Sequence, residues 1–289
     1  MNFQLRYLTH YRYDRPVTEN LNSLRVRPAT TSTQRCDDFS IRVEPEARMT
    51  RYADYFGTEV TEFGIARPHD HLIIDVRARV VTSEQAEPPA APWEALEAPL
   101  YREAGGEFLL PTGDEPEDPA PLVELDGELD APTPMDTVHR LVELIPDRFV
   151  YDTEATYVGS TVDDLLAAGG GVCQDFVHLS LILLRRRGIA ARYVSGYLWA
   201  APDDGSTDSV EVETHAWVEA MLPGEREPAW VGIDPTNRRL AGETHVKIGH
   251  GRRYADVPPI KGVYAGSAGS HLEASVQMSR LDPAASARP

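Results

Sequence analysis

A thiol becomes a useful nucleophile when its charged form is stabilised and a base stands nearby. Cys173 meets the first condition on its sequence context alone. It follows Gly169-Gly-Gly-Val172 and opens an apolar run, Phe176, Val177, Leu179, Leu181, Ile182, Leu183 and Leu184, that closes at Gly188. These side chains surround a helical axis rather than forming one stripe, which predicts a helix from Gln174 to Arg187 buried on most sides. Cys173 then falls in the first turn, where unpaired N–H groups and the positive end of the helix dipole favour an anion. Cysteine pKa values at such positions fall from about 8.5 into a range of roughly 3.5–7.5. The glycines just upstream leave a substrate room to reach the sulfur. The competing reading is a small buried cysteine with no chemistry.

Two downstream segments favour the chemistry. Thr214-His-Ala-Trp-Val-Glu-Ala-Met221 alternates as a strand does, and Ala229-Trp-Val-Gly-Ile-Asp234 is a second short run before Pro235, with Pro223, Gly224 and Pro228 marking a turn between them. A hairpin centred on Gly224-Glu225 would set His215 directly opposite Asp234. Opposed residues share a sheet face with Cβ atoms about 4.5–5.5 Å apart, so the carboxylate could hold the imidazole while its other nitrogen faces Cys173. Nucleophile, base and orienting group are the three parts of a thiol acyl-transfer site. Cys173, His215 and Asp234 are therefore the candidate catalytic residues. In that scheme His215 takes the thiol proton and later protonates the leaving amine, Asp234 fixes the tautomer, and the Cys173 N–H is one oxyanion donor. Such chemistry requires no metal and no organic cofactor.

At these positions the sequence resembles the transglutaminase-like cysteine enzymes, in the bacterial branch that carries its own N-terminal β domain. Gly171-Val-Cys-Gln-Asp-Phe176, Ala191-Arg-Tyr-Val-Ser-Gly-Tyr197, His215-Ala-Trp-Val218 and Asp234-Pro-Thr-Asn237 occur in the family's order. The resemblance implies an α+β fold with a papain-like core, a helix carrying Cys173 packed on an antiparallel sheet carrying His215 and Asp234. It implies hydrolysis of a peptide or protein amide, as a peptidase or amidase. Transfer to an amine acceptor is the nearest alternative, and a non-catalytic peptide-binding module is the more distant one. In the N-terminal segment Asp54-Tyr-Phe-Gly-Thr58 has threonine where the family leads one to expect asparagine, a departure that touches fold more than chemistry.

Composition narrows the setting. The 289 residues suffice for two modest domains, and the net charge of −18 opposes binding to nucleic acid or anionic membranes. Cys36 and Cys173 lie far apart, without a Cys-x-x-Cys pair, so no disulfide framework or zinc site is expected. Met1 to Arg6 lacks the apolar core of a signal peptide and no apolar run reaches the ~18 residues of a membrane span, so a cytoplasmic location is expected.

The elements that must position the triad can be read in order. Alternation at Phe3, Leu5, Tyr7, Tyr11 and Tyr13, and the runs Asn20 to Arg27, Phe39 to Val43 and Leu72 to Val81, predict an antiparallel β domain over residues 1–82. Residues 83–132 are rich in proline and acidic groups and read as a linker, within which Trp93, Tyr101 and Phe108-Leu-Leu110 could dock on a neighbouring domain. The catalytic domain is expected over 133–280. It opens with a helix capped by Thr133 with Pro134 at its first position and Val138, Leu141, Val142 and Ile145 along one face. Ser160-Thr-Val-Asp163 resembles a capping box for a short helix ending at Gly169. An acidic loop from Pro202 to Ser209 and a late strand from Leu272 to Met278 follow, with a flexible tail at 281–289.

Other candidates read as structural. His245, His250 and His271 lack tight ligand spacing and are expected at the surface. Asp175 suits the helix dipole or a hydrogen bond to the turn, and Arg185-Arg-Arg187 suits the helix C-terminus and a solvated edge. A phosphatase loop would need arginine where Leu179 stands, and no Gly-Lys-Ser/Thr follows the glycines as a phosphate loop requires.

Overall fold

A computed structural model describes residues 1–113, 116, 119–157, 159–200, 210–212 and 214–281. The acidic loop from Pro202 to Ser209 and most of the expected tail lie outside the described residues. The first five strands are β1 (Asn2–Leu24), β2 (Gln34–Glu44), β3 (Met49–Ala53), β4 (Glu59–Ile65) and β5 (His69–Thr82). The helices α1 (Pro99–Leu109), α2 (Ala120–Glu128) and α3 (Pro134–Arg148) follow. Then come β6 (Val150–Tyr151), α4 (Val162–Ala168), β7 (Gly170–Gly171) and α5 (Cys173–Arg186). The chain continues through β8 (Ala191–Leu198), β9 (Val210–Val212), β10 (Thr214–Leu222), β11 (Ala229–Asp234), β12 (Arg239–Leu240) and β13 (His245–Gly251), and ends in β14 (Ile260–Ala265) and β15 (Ser270–Arg280).

β1 organises an eight-stranded antiparallel sheet. Its first half alternates as the sequence predicts, with Phe3, Leu5 and Tyr7 buried, and pairs β5 on one side and β15 on the other. Past a register shift at Thr18/Asn20 its second half pairs β4 and β14. Glu19 at that corner has φ +56°, the left-handed region where a short kink can redirect a strand. The late strand thus completes the first sheet rather than the one expected to carry His215 and Asp234, and the N-terminal domain is finished by residues 260–280.

The second sheet runs β12-β11-β10-β8-β13, all antiparallel. It is covered on both faces. Val218, Ala220 and Tyr193 meet α5 and its neighbours in one apolar cluster, and Tyr197, Trp199, Val246 and Ile248 join Phe3, Leu5 and Tyr7 in another. Ring pairs Phe3–Trp199 at 5.7 Å and Tyr7–Tyr197 at 6.1 Å stitch the two domains together. Each such ring removes a large apolar area from water, on the order of 1.5–3 kcal/mol apiece.

The segment expected to be a linker builds structure of its own. Tyr101, Gly105 and Phe108 share one buried face of α1, and Leu122 and Leu125 do the same on α2. The Tyr101 hydroxyl donates to the Met221 carbonyl at 2.8 Å and accepts from the Ala190 N–H at 2.9 Å, which pins α1 to β10 and the start of β8. The Trp93 indole donates to the Ala131 carbonyl at 3.0 Å. Proline here starts helices instead of breaking them: Pro99 and Pro121 stand in first turns, where the missing N–H has no intrahelical acceptor.

α3 follows the sequence expectation, with Thr133 accepting from the Asp136 N–H at 3.1 Å and Val138, Leu141, Val142 and Ile145 buried. The capping box of α4 is shifted by one residue. Thr161 and Asp164, not Ser160 and Asp163, exchange the bonds, while Ser160 accepts from the Tyr157 N–H at 3.0 Å.

Candidate active site

The loop before Cys173 is made by three glycines with three different tasks. Gly169 ends α4 with φ +68°, a conformation that L residues rarely adopt. Gly170 and Gly171 form a two-residue parallel pairing with Val150 and Tyr151, and a Cβ on Gly171 would come within 2.7 Å of Asp175 Oδ2. That contact explains the tight turn into α5. Asp175 Oδ2 accepts from the Val172 N–H at 2.9 Å and from the Thr156 hydroxyl at 2.6 Å, so its carboxylate closes the helix start. Cys173 is the first residue of α5, partly buried, and faces a cleft it shares with His215, Tyr151, Thr236 and Asn237.

Behind it, α5 is buried on most sides as expected, yet of its C-terminal arginines only Arg186 is an exposed edge. Arg185 is buried and donates to the carbonyls of Phe108, Ala191 and Arg252 at 2.8–3.3 Å. Arg187 pairs with Asp126 and Asp130. The long stem and forked head let arginine satisfy several backbone acceptors at once.

His215 Nε2 lies 2.9 Å from Asp234 Oδ2, so the residues expected to be base and orienting group meet. They do so in a different register from the one predicted. The ladder pairs Val218 with Ile233, Ala220 with Val231 and Leu222 with Ala229, which is two residues away from a direct 215/234 pairing. The turn from Pro223 to Pro228 is centred one residue later than Gly224-Glu225 implies. An even slip leaves every side chain on its predicted face, so His215 and Asp234 meet as diagonal neighbours instead of opposed ones.

Asp234 is wholly buried and saturated with donors. Its Oδ1 accepts the N–H groups of Thr236 and Asn237 at 3.1 and 3.2 Å. Its Oδ2 meets His215, the Asn237 side-chain amide at 2.7 Å and His245 Nε2 at 3.0 Å. Sequence reasoning placed His245 at the surface. It is instead buried at the start of β13, where it shares Asp234 Oδ2 with His215. The alternation of His245-Val-Lys-Ile248 was the signal that could have placed it in a strand. His250 is half-buried and bonded to Arg192, and His271 is exposed on β15. The atoms of His215, Asp234 and His245 are close enough together to suggest a metal set. Both imidazole Nε2 atoms nevertheless stand at hydrogen-bond distance from one oxygen, the spacing of a proton-linked chain rather than of a cation cage.

The charges follow from this geometry. Burial favours a neutral His215, but hydrogen bonds to Asp234 and Cys173, and their charge, override it and raise the pKa to about 9. Burial pushes Asp234 up, and the donors His215 and His245 outweigh it, holding the carboxyl well below the usual range. His245 is lowered by burial despite the same carboxylate. An imidazolium and a neutral imidazole therefore share one oxygen of a buried carboxylate beside Cys173.

The Asp54–Thr58 turn lies in the N-terminal domain. Asp54 Oδ1 accepts from the N–H groups of Phe56 and Thr58, and the buried Thr58 side chain presses on Gly249 of β13. Its role is domain contact.

A cysteine at a buried helix start, facing histidine and aspartate on an antiparallel sheet, defines a papain-like thiol core. The chain belongs to the transglutaminase-like superfamily: residues 124–235 match that family and residues 3–81 match the bacterial transglutaminase-like N-terminal region. An uncharacterised protein of Mycobacterium leprae is 35% identical over 277 residues, covering 94% of this chain and 96% of that protein. An uncharacterised protein of Mycobacterium tuberculosis is 32% identical over 295 residues, covering 96% and 92%. Among solved structures, a candidate cysteine protease from Cytophaga hutchinsonii shares the fold, with a TM-score of 0.72 and 21% identity over 96% of this chain and 97% of that one.

Proposed function

We propose that this protein hydrolyses a peptide or protein amide through a thioester on Cys173. The observation that carries the reading is the imidazole of His215, held by a buried Asp234 and facing the thiol at the start of α5. His215 takes the Cys173 proton, and the thiolate attacks the amide carbon. The oxyanion forms against the Cys173 N–H, which lies at the unbonded end of α5. Collapse breaks the C–N bond as His215 protonates the leaving amine. Water then attacks the thioester, His215 accepts its proton, and rupture of the C–S bond regenerates the thiolate with release of the carboxylic acid. Two unpaired cysteines support a reducing setting, and the proposal includes a cytoplasmic one.

The test is a screen of peptides and proteins with mass spectrometry of the trapped enzyme, run with and without added amines. A thioester adduct on Cys173 with free acid as product supports hydrolysis, and an amide product in the presence of amine moves the assignment to a transglutaminase. Full activity in Cys173→Ala would overturn the nucleophile.

A further inference from the structure

We infer that His245 is a positioning residue of this site, a neutral imidazole that clamps Asp234 in the orientation His215 needs. The tautomer follows from its neighbours. The Gly242 N–H donates to His245 Nδ1 at 3.2 Å, and the Thr244 hydroxyl lies 3.3 Å from the same atom. The His245 backbone N–H donates back to the Gly242 carbonyl at 3.0 Å, which fixes the residue against this turn. A nitrogen that accepts an N–H carries no proton, so the ring's one hydrogen is on Nε2 and is donated to Asp234 Oδ2.

The clamp differs from the other donors to that carboxylate. Asn237 is exposed, and the two backbone N–H groups hold Oδ1, not the oxygen that meets His215. His245 is 6% exposed and bonds Oδ2, the oxygen that also meets His215. Without its hydrogen, Oδ2 keeps only the Asn237 amide and His215 as side-chain partners, and the carboxylate is held less firmly toward His215. His245 also forms part of the wall of a cavity of about 340 Å³ between the two domains, bounded by Trp217, Glu219, Trp230 and Lys247. A His245→Ala substitution therefore opens a space continuous with that cavity, large enough to admit a free imidazole.

That geometry provides the test. It rests on the acyl-transfer reading only for its kinetic meaning, so the readouts need no substrate. The expectation for wild-type protein is a long-range ¹H–¹⁵N spectrum in which His245 is protonated at Nε2 alone; a proton on Nδ1 would sink the idea. Iodoacetamide labelling of Cys173 near pH 7 should slow roughly tenfold in His245→Ala, the worth of a bond to a charged acceptor. At about pH 8.5, where both are mostly neutral, added imidazole should restore the rate, and 1-methylimidazole, whose neutral form has no N–H to donate, should not. His245→Gln keeps a donor and should label within about twofold of wild type. Equal rates in wild type and His245→Ala, or equal rescue by both imidazoles, would overturn the assignment. If Cys173→Ala kept its turnover while the His215 signals still responded to His245, hydrolysis by this thiol would fail and the clamp would stand.

Discussion

Asp234→Asn removes a charge while keeping the shape of a side chain that is wholly buried. His215 rises from 6.5 to about 9 against the opposing effect of burial, and the partners responsible are Asp234 and Cys173. At 1.36 kcal/mol per unit, that rise corresponds to about 3 kcal/mol, shared between the two. A raised histidine pKa stabilises the charged pair fully below 6.5 and loses that contribution as pH climbs through about 9. The wild-type profile for Cys173 alkylation should therefore show a change on its alkaline side near pH 9, where the imidazolium is lost. In Asp234→Asn this feature should move down by more than one unit. The asparagine amide also faces His215 Nε2 with a donor, which favours the tautomer unable to take the thiol proton. Together these effects predict a loss of at least tenfold, and on the order of a hundredfold, in alkylation at neutral pH and in turnover. The assay is the iodoacetamide rate from pH 5 to 10, beside near-ultraviolet circular dichroism to check packing. An unshifted profile in a folded variant would refute the electrostatic reasoning.

Other substitutions test the scaffold. Cys36→Ala should leave labelling at Cys173 and the urea midpoint unchanged, because Cys36 lies on β2 in the N-terminal sheet, where burial pushes its thiol up. Gly171→Ala should destabilise the fold by about 1–3 kcal/mol in urea unfolding and slow labelling, since its methyl would meet Asp175 Oδ2 at 2.7 Å. Tyr101→Phe should cost about 1–3 kcal/mol by the same measurement, as it strands the Met221 carbonyl and the Ala190 N–H. Unchanged midpoints would mean that α1 does not hold the catalytic sheet.

The centre of this site was legible because its signals are local. A helix apolar all round, glycines before a cysteine, and two alternating runs around a turn are short-range patterns. Hairpin parity then made the His215–Asp234 prediction tolerant of a two-residue error in register. What was missed depends on distant pairing. His245 is one of three histidines in a glycine-rich stretch, and only the return of β13 alongside β8 brings it to Asp234. In residues 83–132 composition hid a weaker spacing, Tyr101, Gly105 and Phe108, which is helical and buried. Arg185 looked like a dipole complement because its carbonyl partners belong to three separate segments.

The closure of the first sheet by β14 and β15 sets an order of events during synthesis. β1 leaves the ribosome well before two of its partners, which come from residues 260–280. Until those emerge, a strand of 23 residues has unpaired N–H and C=O groups along one edge, beside a catalytic sheet whose outer face also needs Phe3 and Tyr7 as cover. Local helices such as α3 and α5 can form early, whereas the domain that is first in sequence is last to be complete. A chain interrupted before Ile260 would carry an open β edge, and its fate would be association with other chains rather than a stable, smaller enzyme.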